Sequence, residues 1–254
     1  MLLTVDVGNS NIVFGVYKDN QLIETFRSET DLSRTEDEYS SLIISCLTNF
    51  GLNHKDITGI IISSVVLSIN PTFELLAKKY FNTKAIFVGT NLKSGIAIKI
   101  EQPKTLGPDI LVGIVGAQQK YGGDCLVIDL GTATTMTILT KNNEYIGGIV
   151  YPGIKTSARA LAIKTSTLPC IDLEIPDHVI CKDTILAMQA GLMHGYASML
   201  DGMVTKMEKE YGSPLKVILT GGLASTISTI LDHEVILDEN LLLDGLNYLY
   251  HKNK

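Results

Sequence analysis

Two stretches of the chain decide the fold: Leu2-Leu-Thr-Val-Asp-Val-Gly-Asn-Ser-Asn-Ile-Val13 and Cys125-Leu-Val-Ile-Asp-Leu-Gly-Thr-Ala-Thr-Thr135. Each begins as an apolar strand, ends that strand at Asp-x-Gly, and passes through a short polar turn into a second strand. A turn cluster follows in both, so each stretch predicts a β-meander rather than the start of a β-α-β unit. The recurrence of motif, turn and hairpin indicates an internal duplication.

Helical spacing predicts a series of helices outside these stretches. Thr35 with Glu38 three residues later matches a capping box, which starts a helix that Gly51 ends. Further helices are predicted at 71–81, 106–121 and 184–211, with a last one after Asp238, and buried strands are predicted at 59–66, 85–88 and 215–219. We therefore expect an α/β protein with an N-terminal half at 1–121 and a C-terminal half at 122–254.

The composition of the chain excludes several classes of protein. Hydrophobic residues make up 45% of the chain, which is ordinary for a globular protein and excludes a disordered chain. The formal net charge is −6, so no basic surface for nucleic acid or an anionic membrane is expected. The longest uncharged run, 57–73, falls short of the roughly 20 apolar residues that a membrane-spanning helix needs. The N-terminus lacks a signal-peptide pattern and the four cysteines form no C-x-x-C pair, which favours free thiols and a cytoplasmic protein.

The two Asp-x-Gly turns are the candidate functional site. The sequence contains no P-loop, no G-x-G and no H-E-x-x-H motif, and the histidines are scattered. Glycine in such a turn permits close backbone approach, successive amides can bind an anion, and a neighbouring carboxylate can hold Mg²⁺ beside phosphate oxygens. Two turns facing a cleft, with Thr220-Gly-Gly222 leaving room for an adenosine, would hold a nucleoside triphosphate from both sides. The methionines of the 184–211 helix are interpreted as core residues.

These motifs and several others follow one another in an order that resembles a known family. They are Asp6-Val-Gly-Asn-Ser-Asn11, Arg34-Thr-Glu-Asp-Glu-Tyr39, Ser63-Ser-Val-Val66, Gly107-Pro-Asp109, Asp129-Leu-Gly-Thr-Ala-Thr-Thr135, Gly147-Gly148 with Pro152-Gly153, Leu168-Pro169, Thr184 and Thr220-Gly-Gly222. The set resembles the acetate and sugar kinase, heat-shock ATPase and actin superfamily. More narrowly, it resembles the type III pantothenate kinases.

The resemblance implies a fold, an activity and a nucleotide site. The fold would be two duplicated ribonuclease H-like (actin-like ATPase) domains, each a mixed five-stranded sheet flanked by helices. The activity would be ATP-dependent phosphorylation of pantothenate to 4′-phosphopantothenate, the first step of coenzyme A biosynthesis. ATP would contact the residues Asp6, Val7, Gly8, Asn9, Ser10, Asn11, Ile12, Val13, Thr132, Gly221 and Gly222. Mg²⁺ would be held at Asp6 through phosphate, and Asp129 would bind an activating monovalent cation, K⁺ or NH₄⁺.

The same resemblance implies the acceptor site. Asp109 would be the general base for the pantothenate hydroxyl, with Asp6 as the second catalytic residue. Pantothenate would contact the residues Ile100, Gly107, Pro108, Asp109, Ile110 and Thr184. Thr184 would do so from the neighbouring subunit of a homodimer. The first turn of the 106–121 helix is a favourable place for the Asp109 carboxylate, because the helix dipole stabilises negative charge there.

Two departures from the family pattern fall on the acceptor side. Ile110 stands where the family motif Gly-x-Asp-Arg has its arginine, and Ile100 lies where the family tends to carry an aromatic residue. Lys104 and Lys155 are candidate surrogates for the missing arginine. Two alternatives to a pantothenate kinase stay open at this point: a kinase for another small hydroxyl compound, and a non-catalytic ATP-binding regulatory homologue.

Overall fold

The computed structural model describes residues 1–89 and 91–254, which form an α/β protein. The predicted α/β class is therefore confirmed. Contacts divide the chain into two units, each with its own sheet. The first unit comprises Met1–Lys120 together with Asn240–Lys254, and the second comprises Tyr121–Glu239.

The first unit contains a five-stranded mixed sheet. Its strands are β1 (Leu2–Val7), β2 (Asn11–Lys18), β3 (Gln21–Glu29), β4 (Gly59–Ser64) and β5 (Ala85–Phe87), and a two-residue strand β6 (Ala97–Ile98) follows in the chain. The sheet order is β3-β2-β1-β4-β5, with β1 antiparallel to β2 and parallel to β4. Asp19 and Asn20 turn β2 into β3 with φ of 51° and 63°, a left-handed conformation that Asn and Asp tolerate well.

The second unit repeats this arrangement. Its strands are β7 (Cys125–Leu130), β8 (Ala133–Leu139), β9 (Glu144–Pro152), β10 (Lys216–Thr220) and β11 (Ile236–Leu237). They lie in the order β11-β10-β7-β8-β9, and β7 is antiparallel to β8 and parallel to β10. β7 therefore pairs with β8 and β10 in the same way as β1 pairs with β2 and β4. This repeated pairing corresponds to the duplication seen in the sequence.

The helices of the described residues follow the sequence predictions with two additions. They are α1 (Glu36–Asn49), α2 (Asn70–Phe81), α3 (Pro108–Tyr121), α4 (Ile154–Lys164), α5 (Thr184–Tyr211), α6 (Ala224–Ser228) and α7 (Leu241–Asn253). The predictions did not include α4 and α6. No helix among residues 1–89 and 91–254 combines the length and the apolar character needed to cross a membrane.

One face of the first sheet forms a core with α1 and α2. Val5 and Ile62 lie on this face, where Tyr39 of α1 and Phe73 of α2 pack with their rings 5.3 Å apart. The predicted capping box is present: Thr35 accepts from the main-chain N–H of Glu38, and the Glu38 carboxylate accepts from that of Thr35.

The other face of the first sheet packs against α7. The Tyr250 hydroxyl lies so close to Gly59 that any side chain there would collide with it, and Leu243 lies over Gly15. The sequence analysis assigned residues 240–254 to the C-terminal half, whereas their contacts group them with the first unit. The physical reason is that the buried leucines of α7 complete the core over β1 and β4.

The methionines of α5 are core residues, as interpreted from the sequence. Met193 is fully buried, Met188 and Met207 are nearly so, and Met199 and Met203 pack against the same core from its margin. Cys46, Cys125, Cys170 and Cys181 are free thiols.

The contact between α3 and α7 depends on two glycines. A Cβ at Gly116 would collide with the main-chain oxygen of Leu241, and a Cβ at Gly245 would collide with that of Val112. We expect Gly116→Ala to lower the free energy of unfolding by about 1–3 kcal/mol, because the two backbones would have to separate. Urea unfolding measures the effect.

The matched control is Gly202→Ala on α5, where nothing lies within 4 Å of the added Cβ. This substitution should raise the stability by about 1 kcal/mol, because alanine favours the helix over glycine. Changes of the same sign in the two variants would contradict the close packing of α3 on α7.

Candidate active site

The turn between β1 and β2 is a braced loop with an exposed tip. The Gly8 N–H donates to the Asn11 carbonyl over 3.0 Å and closes the turn. Thr30, just after β3, donates from its N–H to Ser10 O (3.1 Å) and from its hydroxyl to Gly8 O (2.6 Å). Asn9, Ser10 and Asn11 are exposed. The predicted ATP residues 6–13 thus form a turn whose shape is held from the β3 side.

The residues on either side of this turn, Asp6, Val7 and Ile12, are less exposed than its tip. Asp6, half-buried, is the second-last residue of β1 and lies beside Val13 of β2 and Ser63 of β4 in the sheet register. Val7 and Ile12 are buried in the core under the turn. Within the predicted ATP segment 6–13, Asn9, Ser10 and Asn11 are therefore the residues exposed at the surface.

The β7–β8 turn of the second unit is clamped by the start of α4. Thr132 O accepts from the Gly153 N–H (3.0 Å) and from the Thr156 hydroxyl (2.7 Å). A Cβ at Gly153 would collide with the carbonyl oxygens of Gly131 and Thr132. This contact explains why the Pro152-Gly153 motif accompanies the Asp129 motif: only glycine permits the β9–α4 junction to approach the turn so closely.

Asp129 and Gly221 come together at the ends of two parallel strands. Thr220 of β10 lies in register with Asp129 of β7, and the next residue, Gly221, has a φ of 99°. A Cβ on Gly221 would lie 2.6 Å from the Asp129 Oδ1 atom and 2.6 Å from the Leu130 nitrogen. Only glycine can therefore approach the Asp129 carboxylate and the Leu130 nitrogen this closely, while the exposed Gly222 has no atom within 4 Å of an added Cβ.

Asp109 lies in the first turn of α3, as predicted. Its Oδ1 atom accepts from the Ile110 N–H over 2.8 Å. Burial raises the pKa of the Asp109 carboxyl, against the smaller lowering effect of its backbone hydrogen bonds. A Cβ at Gly107 would collide with Oδ1, so glycine is needed for the carboxylate to adopt this position. A carboxylate with a raised pKa binds a proton more strongly, which suits a general base.

The remaining acceptor-side residues surround the start of α3 in the chain. Ile100, Gly107, Pro108 and Ile110 are half-buried, and Lys104 is exposed in the 3-10 turn Pro103–Thr105.

In the second unit, Lys155 is exposed on the first turn of α4, and Thr184 is the exposed first residue of α5. The surrogate role of either lysine, and the role of Thr184, remain predictions.

Sequence reasoning missed the residues that brace the two turns. Thr30 reaches the first turn only through the β2–β3 register, which pairs Asn11 with Glu29. Tyr196 of α5 donates its hydroxyl to the Thr134 hydroxyl (2.5 Å) at the start of β8 and contacts Pro152 O (3.0 Å). The register of the predicted β-hairpin could have indicated Thr30, whereas nothing local to Tyr196 indicates its contact.

The carboxylates of the site suit a metal ion that is coordinated mainly by the phosphate oxygens of a bound nucleotide. Within the described parts of the chain, no three His, Cys, Asp or Glu residues are grouped so that they could hold a metal ion. Mg²⁺ in phosphoryl-transfer sites takes one or two protein carboxylates together with phosphate oxygens and water, so a single carboxylate at each turn is sufficient.

Known proteins resemble the chain in sequence and in structure. The family model described as "Type III pantothenate kinase" matches residues 2–206. The type III pantothenate kinase of Geobacillus kaustophilus is 42% identical over 253 residues, which cover 100% of this chain and 98% of the relative.

Solved structures share the fold at lower identity. A Campylobacter jejuni protein described as a Baf family transcriptional activator has a TM-score of 0.62 at 20% identity, covering 99% of this chain and 98% of its own. Component A of the (R)-2-hydroxyglutaryl-CoA dehydratase of Acidaminococcus fermentans has a TM-score of 0.54 at 14% identity, covering 98% and 96%. The predicted actin-like fold class is confirmed, and the family match over most of the sequence leads to one conclusion: the chain belongs to the type III pantothenate kinase family.

Proposed function

We propose that the protein transfers the γ-phosphoryl group of ATP to the hydroxyl of pantothenate, forming 4′-phosphopantothenate, the first step toward coenzyme A. The observation that carries the proposal is that a member of this family has both glycine turns and the carboxylate that the reaction needs. Two braced Asp-x-Gly turns present backbone groups, and Asp109 supplies a partly buried carboxylate with a raised pKa. These features also disfavour a non-catalytic regulatory homologue, since such a protein would need no general base.

Binding of the nucleotide rests on the two turns. We assign the triphosphate to the exposed residues 9–11 of this turn, because a closed glycine turn braced by Thr30 loses little freedom when it binds an anion. Thr132 of the β7–β8 turn is also assigned to ATP. Gly221 and Gly222 carry no side chain, so an adenosine can lie against their backbone.

Two carboxylates are assigned to cations. Asp6 would hold Mg²⁺ together with phosphate oxygens, and Asp129, against which Gly221 packs closely, would hold K⁺ or NH₄⁺. When bound, these cations offset the negative charge that accumulates on the transferring phosphoryl group.

Asp109 is assigned the role of general base. Its Oδ1 atom is fixed by the Ile110 N–H, so we assign the proton of the acceptor hydroxyl to Oδ2. Phosphoryl transfer needs positioning more than strong base catalysis, and a held carboxylate meets this demand.

We also propose that the protein is a cytoplasmic homodimer in which Thr184 contacts the acceptor bound by the partner. The second unit exposes large apolar side chains, with Val150 71%, Ile163 77% and Ile180 91% accessible. We infer that these side chains belong to one surface that a second subunit covers, because monomeric proteins rarely expose large contiguous apolar patches.

The first test concerns Asp109. Asp109→Asn should lower kcat by about 10²–10⁴-fold, because the base is lost while the helix start is kept. In the unaltered protein, kcat/KM for pantothenate should fall as the pH decreases through the raised pKa of Asp109, because the protonated carboxyl cannot accept the hydroxyl proton. A coupled ADP-release assay with K⁺ and Mg²⁺ measures both.

In Asp109→Asn the acid limb of the pH profile should disappear while MgATP binding is kept. A variant with normal turnover would rule out Asp109 as the base. A flat response of the unaltered protein to pantothenate, despite normal ATP binding, would rule out the proposed acceptor.

The second test concerns the acceptor carboxylate. Because Ile110 cannot form a charge-assisted hydrogen bond, we expect Ile110→Arg to lower the KM for pantothenate by about tenfold. Pantetheine carries no carboxylate and is the matched control. An equal gain for both acceptors would contradict the assignment of position 110 to the carboxylate, and better use of pantetheine by the unaltered protein would favour the alternative acceptor class.

The third test concerns the monovalent cation. Gly221→Ala should raise the K⁺ concentration for half-maximal activity by about tenfold or more, since the methyl group would crowd the Asp129 carboxylate and the φ of 99° disfavours alanine. Gly222→Ala adds the same methyl group in open space and should leave the K⁺ requirement unchanged. A common shift in both variants would place the cation elsewhere.

A further inference from the structure

Ser63 lies beside Asp6 at the carboxyl end of two parallel strands. The two residues are register partners on β4 and β1. The neighbouring pair Val5 and Ile62 belongs to the core under α1 and α2, so Asp6 and Ser63 lie on the opposite face of the sheet. In open sheets, ligands bind beyond the carboxyl ends of parallel strands, which is where this pair is found.

The Ser63 hydroxyl is buried and has no hydrogen-bond partner among residues 1–89 and 91–254. Ser63 is 0% exposed. Other buried serines of the first unit have partners: the Ser64 hydroxyl donates to Val66 O (3.2 Å), and the Ser40 hydroxyl donates to Glu36 O (2.7 Å). A buried hydroxyl without a partner destabilises a protein, and alanine would fill the same position without that cost.

The Asp6 carboxylate is the candidate acceptor for this hydroxyl, because the two residues are register partners. Adjacent strands are about 4.8 Å apart, so the Ser63 Oγ atom and the Asp6 carboxylate come within hydrogen-bond distance when both side chains turn toward each other, which we assign to the nucleotide complex. An ionised carboxylate has about four acceptor positions, so it can accept this bond in addition to its other contacts. A hydrogen bond to a charged acceptor is also stronger than one to a neutral acceptor.

We propose that Ser63 is a positioning residue for Asp6: its hydroxyl donates to the Asp6 carboxylate in the nucleotide complex and fixes the carboxylate for metal and phosphate. The proposal rests on the proposed role of Asp6 in binding MgATP. Ser63 itself does not touch the nucleotide, because its side chain is fully buried. The unsatisfied hydroxyl of the ligand-free chain becomes satisfied when the nucleotide binds, so its contribution appears in affinity and not in stability.

The experiment compares stability with affinity in the full chain. Ser63→Ala should leave the thermal midpoint of the ligand-free protein unchanged or raise it, because an unsatisfied hydroxyl is removed. The same variant should weaken MgATP binding by about tenfold or more in calorimetry, since a charge-assisted bond is lost. It should also raise the Mg²⁺ concentration required at fixed ATP, while the KM for pantothenate stays the same.

Two further variants make the test decisive. Ser63→Cys keeps the size of the side chain but is a weak donor, and it should show the same loss of affinity. Ser40→Ala removes a satisfied buried hydroxyl of the same unit and should lower the thermal midpoint without altering MgATP affinity.

The outcomes separate this proposal from the proposed function. Unaltered MgATP affinity in Ser63→Ala, with normal binding by the parent protein, would overturn the role of Ser63 alone. A parallel fall of thermal midpoint and affinity in both Ser63 variants would overturn it in favour of a purely structural role. A parent protein that binds no MgATP would overturn the proposed function and this inference together.

Discussion

The rest of the structure depends on how the first strand of each hairpin is paired. One edge of that strand binds the second strand of the hairpin, which is antiparallel, and the other edge binds a parallel strand. β1 lies between antiparallel β2 and parallel β4, and β7 lies between β8 and β10 in the same way. The carboxylate at the end of such a strand lies where its parallel neighbour also ends. Two residues earlier on the same face of β1, Thr4 is fully buried and donates its hydroxyl to Gly15 O, so a carboxylate there would have no access to a ligand.

The proposed ATP site and the proposed acceptor site are built in different ways. In the proposed ATP site, backbone groups dominate, and hydrogen bonds from Thr30 and Thr156 hold the turns in shape. In the proposed acceptor site, one carboxylate lies among half-buried apolar residues at the start of α3. A turn built of backbone tolerates changes in neighbouring side chains, whereas recognition of an acceptor depends on the side chains themselves. Position 110 is therefore where a member of this family could change its choice of acceptor while keeping its nucleotide.

Much of the fold could be predicted because the deciding signals are local. The strand Cys125–Leu130 and the helix Thr184–Tyr211 have the predicted bounds, and α1 begins at its predicted capping box. The helix α4 was missed although Ile154, Ala158 and Leu161 follow at helical spacing, because the stretch is only 11 residues long and buries a single residue, Ile154. The assignment of α7 to the first unit, the brace by Thr30 and the isolation of the Ser63 hydroxyl all depend on contacts between distant residues. Neither periodicity nor motif spacing contains that information.

The position of α7 also affects how the chain folds as it is synthesised. The leucines at 241, 243, 246 and 249 are buried in the first unit, although the whole second unit precedes them in the chain. A ribosome therefore releases β1–β5 long before the helix that covers one face of their sheet. Until residues 240–254 emerge, that face stays uncovered and open to other nascent chains or chaperones, while the second unit has all of its strands and can fold first.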